Sequence, residues 1–199
     1  ARGACNAVFS ISELEASRGV VAHSSGNHAA ALARAARLRN IQAHVVMPEN
    51  SRPNKIAAVR RYGVEPVFCE PDAASRQAAA DRIVEQTGAT FIHPYDDPRV
   101  INGQGTVGLE LHDQLAEVDV VIVPVGGGGL LAGCLTSLKA LRPSLEVVAA
   151  EPEWADDAHR SWKPGQIELP TRYDTIADGL RTPLGRWTFP IIRDMVDDI

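Results

Sequence analysis

Short β-branched runs alternate along this chain with longer alanine-rich or amphipathic stretches, and this alternation narrows its fold more than any other feature. The runs lie at 19–23, 42–47, 64–69, 89–93, 119–125 and 145–150. They are nearly continuous in apolar residues, as strands covered on both faces are. Helical stretches fill the intervals at 28–38, 52–62, 73–87, 103–115 and 130–141, and another closes the chain at 189–199. Gly63 and Gly88 stand where helix C-caps are wanted, and Pro143 stops the helix before it. Strand–helix alternation of this kind predicts an α/β fold, with mostly parallel sheets and right-handed crossovers. The polar stretch 162–174, with Pro164, Gly165 and Pro170, reads as a surface loop.

A chain of 199 residues allows one or two domains, and 45% hydrophobic residues suffice for a core. The net charge of −5 argues against nucleic acid or an anionic membrane as partner, because both need a basic face. The most apolar run, 118–125, falls short of the roughly 20 residues of a membrane span. Cys5, Cys69 and Cys134 are far apart and contain no CxxC, so neither a disulfide scaffold nor a zinc site is expected. A reducing, cytoplasmic setting fits them. The chain opens on Ala1 without a methionine and is expected to be a piece cut at both ends, with apolar surface left exposed.

Two strand-to-helix junctions carry residues that folding alone does not call for. After the run ending at Val125 come Gly126, Gly127, Gly128 and Gly129, directly before a helix. Each glycine costs roughly 0.5–1 kcal/mol of backbone entropy, a cost tolerated where backbone must approach a ligand closely or adopt positive φ. Amides at a helix start favour an anion, so the loop reads as a phosphate cradle; a plain tight turn is the alternative. It is neither a P-loop nor GxGxxG. The second junction is Ser24-Ser25-Gly26-Asn27-His28. Ser or Asn here serves as an N-cap, and the same groups suit carboxylate binding and hydrogen bonding to a cofactor; the residues leave both open. A third cluster, 151–157, places Glu151, Glu153, Asp156 and Asp157 at the end of a strand, as a solvated acidic face or as oxygen ligands for a hard divalent cation. HExxH is absent, and Ser25 lacks the GxSxG context of a hydrolase.

Taken together, SSGNH at 24–28, HPYDDPRVINGQGT at 93–106, VPVGGGGLLAG at 123–133, EPEWADD at 151–157 and TIADGL at 175–180 resemble the fold-type II pyridoxal-phosphate enzymes. Within them the resemblance is to the serine racemase and serine/threonine dehydratase branch, over essentially the whole chain. It implies a tryptophan synthase beta-like architecture: a two-lobed α/β protein with mostly parallel twisted sheets and helices on both faces. Residues 1–18 would begin the large lobe, 19–96 would form the small lobe and 97–199 would continue the large one, with pyridoxal 5'-phosphate in the cleft.

By resemblance, Gly126, Gly127, Gly128 and Gly129 would hold the cofactor phosphate, Asn27 its ring hydroxyl, and Gly179 would lie near the ring. Ser24, Ser25, Gly26 and His28 would hold the substrate carboxylate, with Arg76 a weaker candidate. Ser25 matches the serine that exchanges a proton on one face of the substrate α-carbon in racemases of the branch. Glu151, the Ala155 carbonyl and Asp157 match a site for Mg2+, Ca2+ or Mn2+. Lys55 and Tyr62 match parts of a nucleotide site found in some relatives. The implied activity is serine/threonine dehydration by β-elimination, serine racemisation, or both, on a small amino acid in a homodimer.

Two departures stand against this. The branch's Schiff-base lysine lies two positions ahead of Arg2, outside the chain, which has only Lys55, Lys139 and Lys163. Lys139 sits within a helix and the other two in surface segments, so none is expected to replace it, and the chain alone is expected to be inactive. The branch also extends well beyond Ile199, and the residue expected to meet the pyridine nitrogen lies in that part; Asn102, where the branch usually has alanine, is a smaller departure. The alternatives are a non-catalytic pseudo-enzyme or a phosphate-ligand binding module. A Rossmann-type dehydrogenase is disfavoured by the missing GxGxxG.

Overall fold

The computed structural model describes residues 1–115 and 117–199. The chain divides into two compact units, Ala1–Pro94 and Tyr95–Ile199.

The first unit opens with α1 (Arg2–Ser10) and α2 (Glu13–Arg18). Ser12 and Glu15 form a reciprocal capping box at the start of α2. Then follow β1 (Val20–His23), α3 (Asn27–Arg39), β2 (Ala43–Pro48), α4 (Pro53–Arg60), β3 (Val67–Cys69), α5 (Ala73–Thr87) and β4 (Thr90–Phe91). The strands form a parallel sheet in the order β3-β2-β1-β4. Alternation turns Val21 and Val46 toward Ala79 and Ala80 of α5. Helix α3 packs against β1 and β2 with a face of Ala29, Leu32, Ala33, Ala35 and Ala36, and α1 lies on α3. Small alanine side chains let these layers approach closely. The Arg39 guanidinium ties α1 and α2 down by donating to the Val8 and Ile11 carbonyls and to Glu13. Residues 1–18 therefore belong to the same compact unit as the sheet, and the division falls after Pro94, two residues before the expected lobe boundary. The run expected from 64 pairs only from Val67, since Pro66 has no N–H to donate.

The second unit contains α6 (Pro98–Gln114), β5 (Val120–Pro124), α7 (Gly129–Leu141), β6 (Glu146–Ala150), α8 (Asp157–Trp162) and α9 (Thr188–Met195), with a 3-10 turn at Asp178–Leu180 before α9. Strands β5 and β6 pair in parallel. The core gathers Leu131, Leu135 and Leu138 of α7, Val123, Val147 and Ala149 of the strands, and Phe189 and Ile192 of α9. Helices α6 and α7 touch backbone to backbone: a Cβ on Gly133 would lie 2.5 Å from the Ile101 carbonyl.

Three expectations are corrected here. Helix α6 starts at Pro98, not 103, because Asp97 caps it by accepting the Arg99 N–H at 2.8 Å and Pro98 suits the first turn. The final helix stops at Met195. Beyond it Asp198 bridges to Val148 alongside β6, and the Asp197 carboxylate accepts the Val147 N–H and the Lys139 ammonium, each at 2.6 Å. Strand β5 is not covered on both faces: Ile122 is 67% exposed and Val120 43%. No helix among the described residues is long and apolar enough to cross a membrane.

Candidate active site

The tetraglycine loop lies in the second unit, between β5 and α7. Gly128 is the N-cap of α7 at φ +86°, with no side-chain cap, and its carbonyl receives the helix's first bond, from the Ala132 N–H at 2.8 Å. None of the four positions has room for a side chain. A Cβ at Gly127 would come within 2.4 Å of the Tyr95 ring, and one at Gly129 within 3.0 Å of the Tyr95 backbone. At Gly128 it would meet Ile192 and Thr188, and at Gly126 the backbone of Leu180 at 2.9 Å. A plain turn does not require four such contacts; a backbone ribbon pressed onto a support does. The Gly126 contact brings the 178–180 turn, and with it Gly179, to the loop.

The support was not foreseen from the sequence. Tyr95 underlies the glycines. Thr188 donates its hydroxyl to the Gly127 carbonyl at 2.8 Å. Asp96 accepts the N–H groups of Trp187 (2.7 Å), Arg186 (3.0 Å) and Thr188 (3.3 Å), and so caps α9 and fixes Thr188. Within the motif 93–106 the Tyr-Asp-Asp-Pro run was the available signal, but its partners lie some 90 residues further along the chain.

The second junction lies in the first unit, between β1 and α3. Gly26 is the N-cap of α3, without a side-chain cap, and Ser24 Oγ accepts the Gly26 N–H at 3.3 Å. Ser25 and Asn27 are exposed. Lys55, from the first turn of α4, donates its ammonium to Asn27 Oδ1 at 2.9 Å. Lys55 was expected on a surface segment; it is half-buried, because its stem crosses Gly26, where a Cβ would come within 3.3 Å of it.

His28 Nε2 sits 3.2 Å from the Ile92 carbonyl. Burial pushes the imidazole down to about 4, reinforced by His93 and His23 and only partly opposed by that carbonyl. At neutral pH the ring is uncharged and must carry its proton on Nε2 to face a carbonyl. The His28 group left for a carboxylate is its backbone N–H, in the first turn of α3. Arg76 donates Nε to the Asp72 carbonyl at 3.3 Å, and its charge acts on His23 and Cys69. No described contact joins it to residues 24–28.

In the second unit, Glu151 follows β6 and accepts the Ala158 and His159 N–H groups at 2.8 and 3.0 Å, so it caps α8 from a distance. Asp157 is 1% exposed, and its Oδ2 has no hydrogen-bond partner. Burial raises Glu151 to about 7, with the Asp157 and Asp156 charges adding to it, and raises Asp157 to about 6. Ala155 is buried in the same turn. Among the described residues no group of three or more His, Cys, Asp or Glu could hold a metal; the expected set is instead two carboxylates and a main-chain carbonyl. An orphaned, desolvated carboxylate oxygen is what a hard cation would satisfy.

A parallel α/β scaffold with a glycine ribbon at one helix start and a serine–glycine–asparagine junction at another defines a class of protein. The family described as "Pyridoxal-phosphate dependent enzyme" matches residues 1–199, and the chain belongs to it. It is 47% identical over 198 residues to a serine racemase from Arabidopsis thaliana, covering 100% of this chain and 60% of that one. It is 46% identical to a beta-hydroxyaspartate dehydratase from Paracoccus denitrificans (strain Pd 1222), covering 63% of it. The structure of maize serine racemase superposes with a TM-score of 0.97 at 47% identity, over 99% of this chain and 60% of that one. The threonine deaminase of T.th. follows at 0.92 and 47%, over 98% and 64%. The chain thus spans about 60% of the length of these relatives.

A pH consequence follows for His28. Its folded value lies below the unfolded 6.5, so the stability it contributes is complete above pH 6.5 and is lost as pH falls toward 4. His28→Gln keeps a donor for Ile92 but cannot titrate. The stability of the natural protein relative to this variant, measured by urea unfolding, should fall as pH is lowered from 7 to 4. A difference independent of pH would contradict a desolvated, neutral imidazole.

Proposed function

We propose that the protein carrying these residues is a pyridoxal-phosphate-dependent enzyme acting on a small amino acid. Its reactions are serine/threonine dehydration to an α-keto acid and ammonia, serine racemisation, or both. The observation that carries this reading is the pair of glycine-headed, uncapped helix starts, one in each unit. The activities of the relatives, serine racemase, threonine deaminase and beta-hydroxyaspartate dehydratase, supply the substrate class.

Bound pyridoxal phosphate supplies an electron sink that acidifies the amino acid's α-proton. The chain's own residues do the rest. The Gly126–Gly129 amides and the positive end of α7 hold the phosphate. The Asn27 amide hydrogen-bonds the ring oxygen, and Gly179 leaves room beside the ring. Ser24, Gly26 and the His28 backbone N–H hold the substrate carboxylate at the positive end of α3. Ser25 presents an exposed hydroxyl that gives or takes a proton at one face of the α-carbon. Arg76, engaged next to His23, is the least supported member of the set. The Glu151 and Asp157 carboxylates and the Ala155 carbonyl would hold Mg2+, Ca2+ or Mn2+, tying the turn after β6 to α8 in a structural role. We place the protein in the cytoplasm as a homodimer, with residues 19–96 as its small lobe and 1–18 and 97–199 in its large one.

Borohydride reduction of the full-length protein with pyridoxal phosphate, followed by digestion and mass spectrometry, tests the reading. An adduct on a lysine ahead of Ala1 supports it. The absence of any adduct, or one only on Lys55, Lys139 or Lys163, favours a non-catalytic phosphate-binding protein.

Ser25→Ala should lower racemisation at least about 100-fold, the usual worth of a positioned proton-transfer group, while elimination from L-serine changes by less than about tenfold. Unchanged racemisation would remove Ser25 from the mechanism. Chelation of the full-length protein should lower its melting temperature by about 5 °C or more, as loss of a ligand present at ~100 times its Kd does. Asp157→Ala should abolish that sensitivity. A melt indifferent to chelator would overturn the cation site.

A further inference from the structure

We propose that Lys55 is a positioning residue that sets the orientation of the Asn27 side-chain amide and so makes it a hydrogen-bond donor toward the ligand. The inference rests on the pyridoxal-phosphate reading above.

An asparagine amide offers one acceptor oxygen and two N–H donors, and a half-turn about its last bond exchanges them. A free, exposed amide samples both orientations. The ring oxygen of pyridoxal phosphate is an acceptor when ionised, so only the orientation with Nδ2 forward suits it. Asn27 Oδ1 accepts the Lys55 ammonium at 2.9 Å. An ammonium has donors only, so the reversed amide would set donor against donor. The amide oxygen is thereby committed to Lys55, and donors are what remain for a ligand. The ammonium also polarises the amide and strengthens its N–H as a donor.

The placement of Lys55 is built by the fold. Pro53 starts α4, which puts Lys55 in its first turn, where the helix dipole disfavours a cation and no acidic residue is present. The lysine stem crosses Gly26, the one residue of the 24–28 junction with no side chain in its way; a Cβ there would come within 3.3 Å of Cδ and 3.4 Å of Nζ. The ammonium therefore lies beside the starts of two helices, α3 and α4. Neither helix start attracts a lysine. The Asn27 oxygen accepts from it at 2.9 Å, and an anionic group bound at α3 would relieve the accumulated positive charge.

The test is a double-mutant cycle in the full-length protein: Lys55→Met, Asn27→Ala and the double variant, with Lys55→Arg as the conservative control. The readouts are the dissociation constant of pyridoxal phosphate and the absorption spectrum of the bound cofactor. Lys55→Met should weaken binding about three- to tenfold, the loss of one pre-organised hydrogen bond. It should also move absorption to shorter wavelength as the ring oxygen takes up a proton. Lys55→Arg should restore both, and in the Asn27→Ala background Lys55→Met should change neither. Equal weakening in both backgrounds would mean that Lys55 acts on the ligand directly and would overturn the inference. So would an unchanged affinity and spectrum in Lys55→Met. If the unaltered protein binds no pyridoxal phosphate, the functional reading itself fails, and this inference fails with it.

Discussion

The contact of the Tyr95 ring with Gly127 is the constraint on which the second unit's site depends. Backbone can lie on an aromatic face only where no Cβ intervenes, and a Cβ at Gly127 would come within 2.4 Å of the ring. The same tyrosine's backbone excludes a side chain at Gly129. Its neighbour Asp96 gathers the N–H groups that open α9, which sets Thr188 to bond the Gly127 carbonyl. Two adjacent residues thus fix the glycine ribbon from below and from the side. A glycine-rich segment free in solution would have far more conformations to lose. Because its position is fixed by folding, little ordering cost would remain for binding an anion there.

The order of strands and helices was legible because it depends on local period and on apolar runs. The bounds were less so. The start of α6 carried its own signal, Asp97 as cap and Pro98 as first residue, which apolar periodicity alone passes over. The end of α9 carried none. Residues 196–199 continue an amphipathic pattern, and only the distant Val147 and Lys139 draw the Asp197 carboxylate into the edge of β6. Of the candidate site, the glycines, the 24–28 junction and the carboxylates were legible as residue types in the right local setting. Tyr95, Asp96, Thr188 and the bond from Lys55 to Asn27 were not, since each acts across 28 to 92 residues of chain.

The helix starts divide by how their unpaired amides are met. Ser12, Asp72 and Asp97 cap α2, α5 and α6 from adjacent sequence. Glu151 and Asp96 serve α8 and α9 from outside the helix. A capping carboxylate or hydroxyl stabilises by about 0.5–2 kcal/mol, so this chain uses the device widely. At α3 and α7 it is withheld: glycine stands at each N-cap and no side chain accepts from the first turn. Neither position can simply be filled: a Cβ at Gly128 would lie 2.6 Å from Ile192, and one at Gly26 3.3 Å from the Lys55 stem. Helices α1 and α4 also lack a side-chain cap, so what sets α3 and α7 apart is the glycine at the N-cap, which leaves their first amides uncovered.

Charge at the α3 junction follows the same logic. His28 would be a natural cation for a carboxylate if solvated, but burial with His23 and His93 nearby holds it neutral. The ring serves instead to anchor the first turn of α3 to the Ile92 carbonyl. The positive character of the junction then comes from the helix amides and from Lys55, whose ammonium reaches it through Asn27. A neutral anchor keeps one protonation state around neutral pH, because its value lies well below 6.5. Had the imidazole supplied the charge, ligand affinity would vary near its ordinary value of 6.5. Separating the group that anchors from the groups that attract allows the junction to keep one electrostatic character while pH varies.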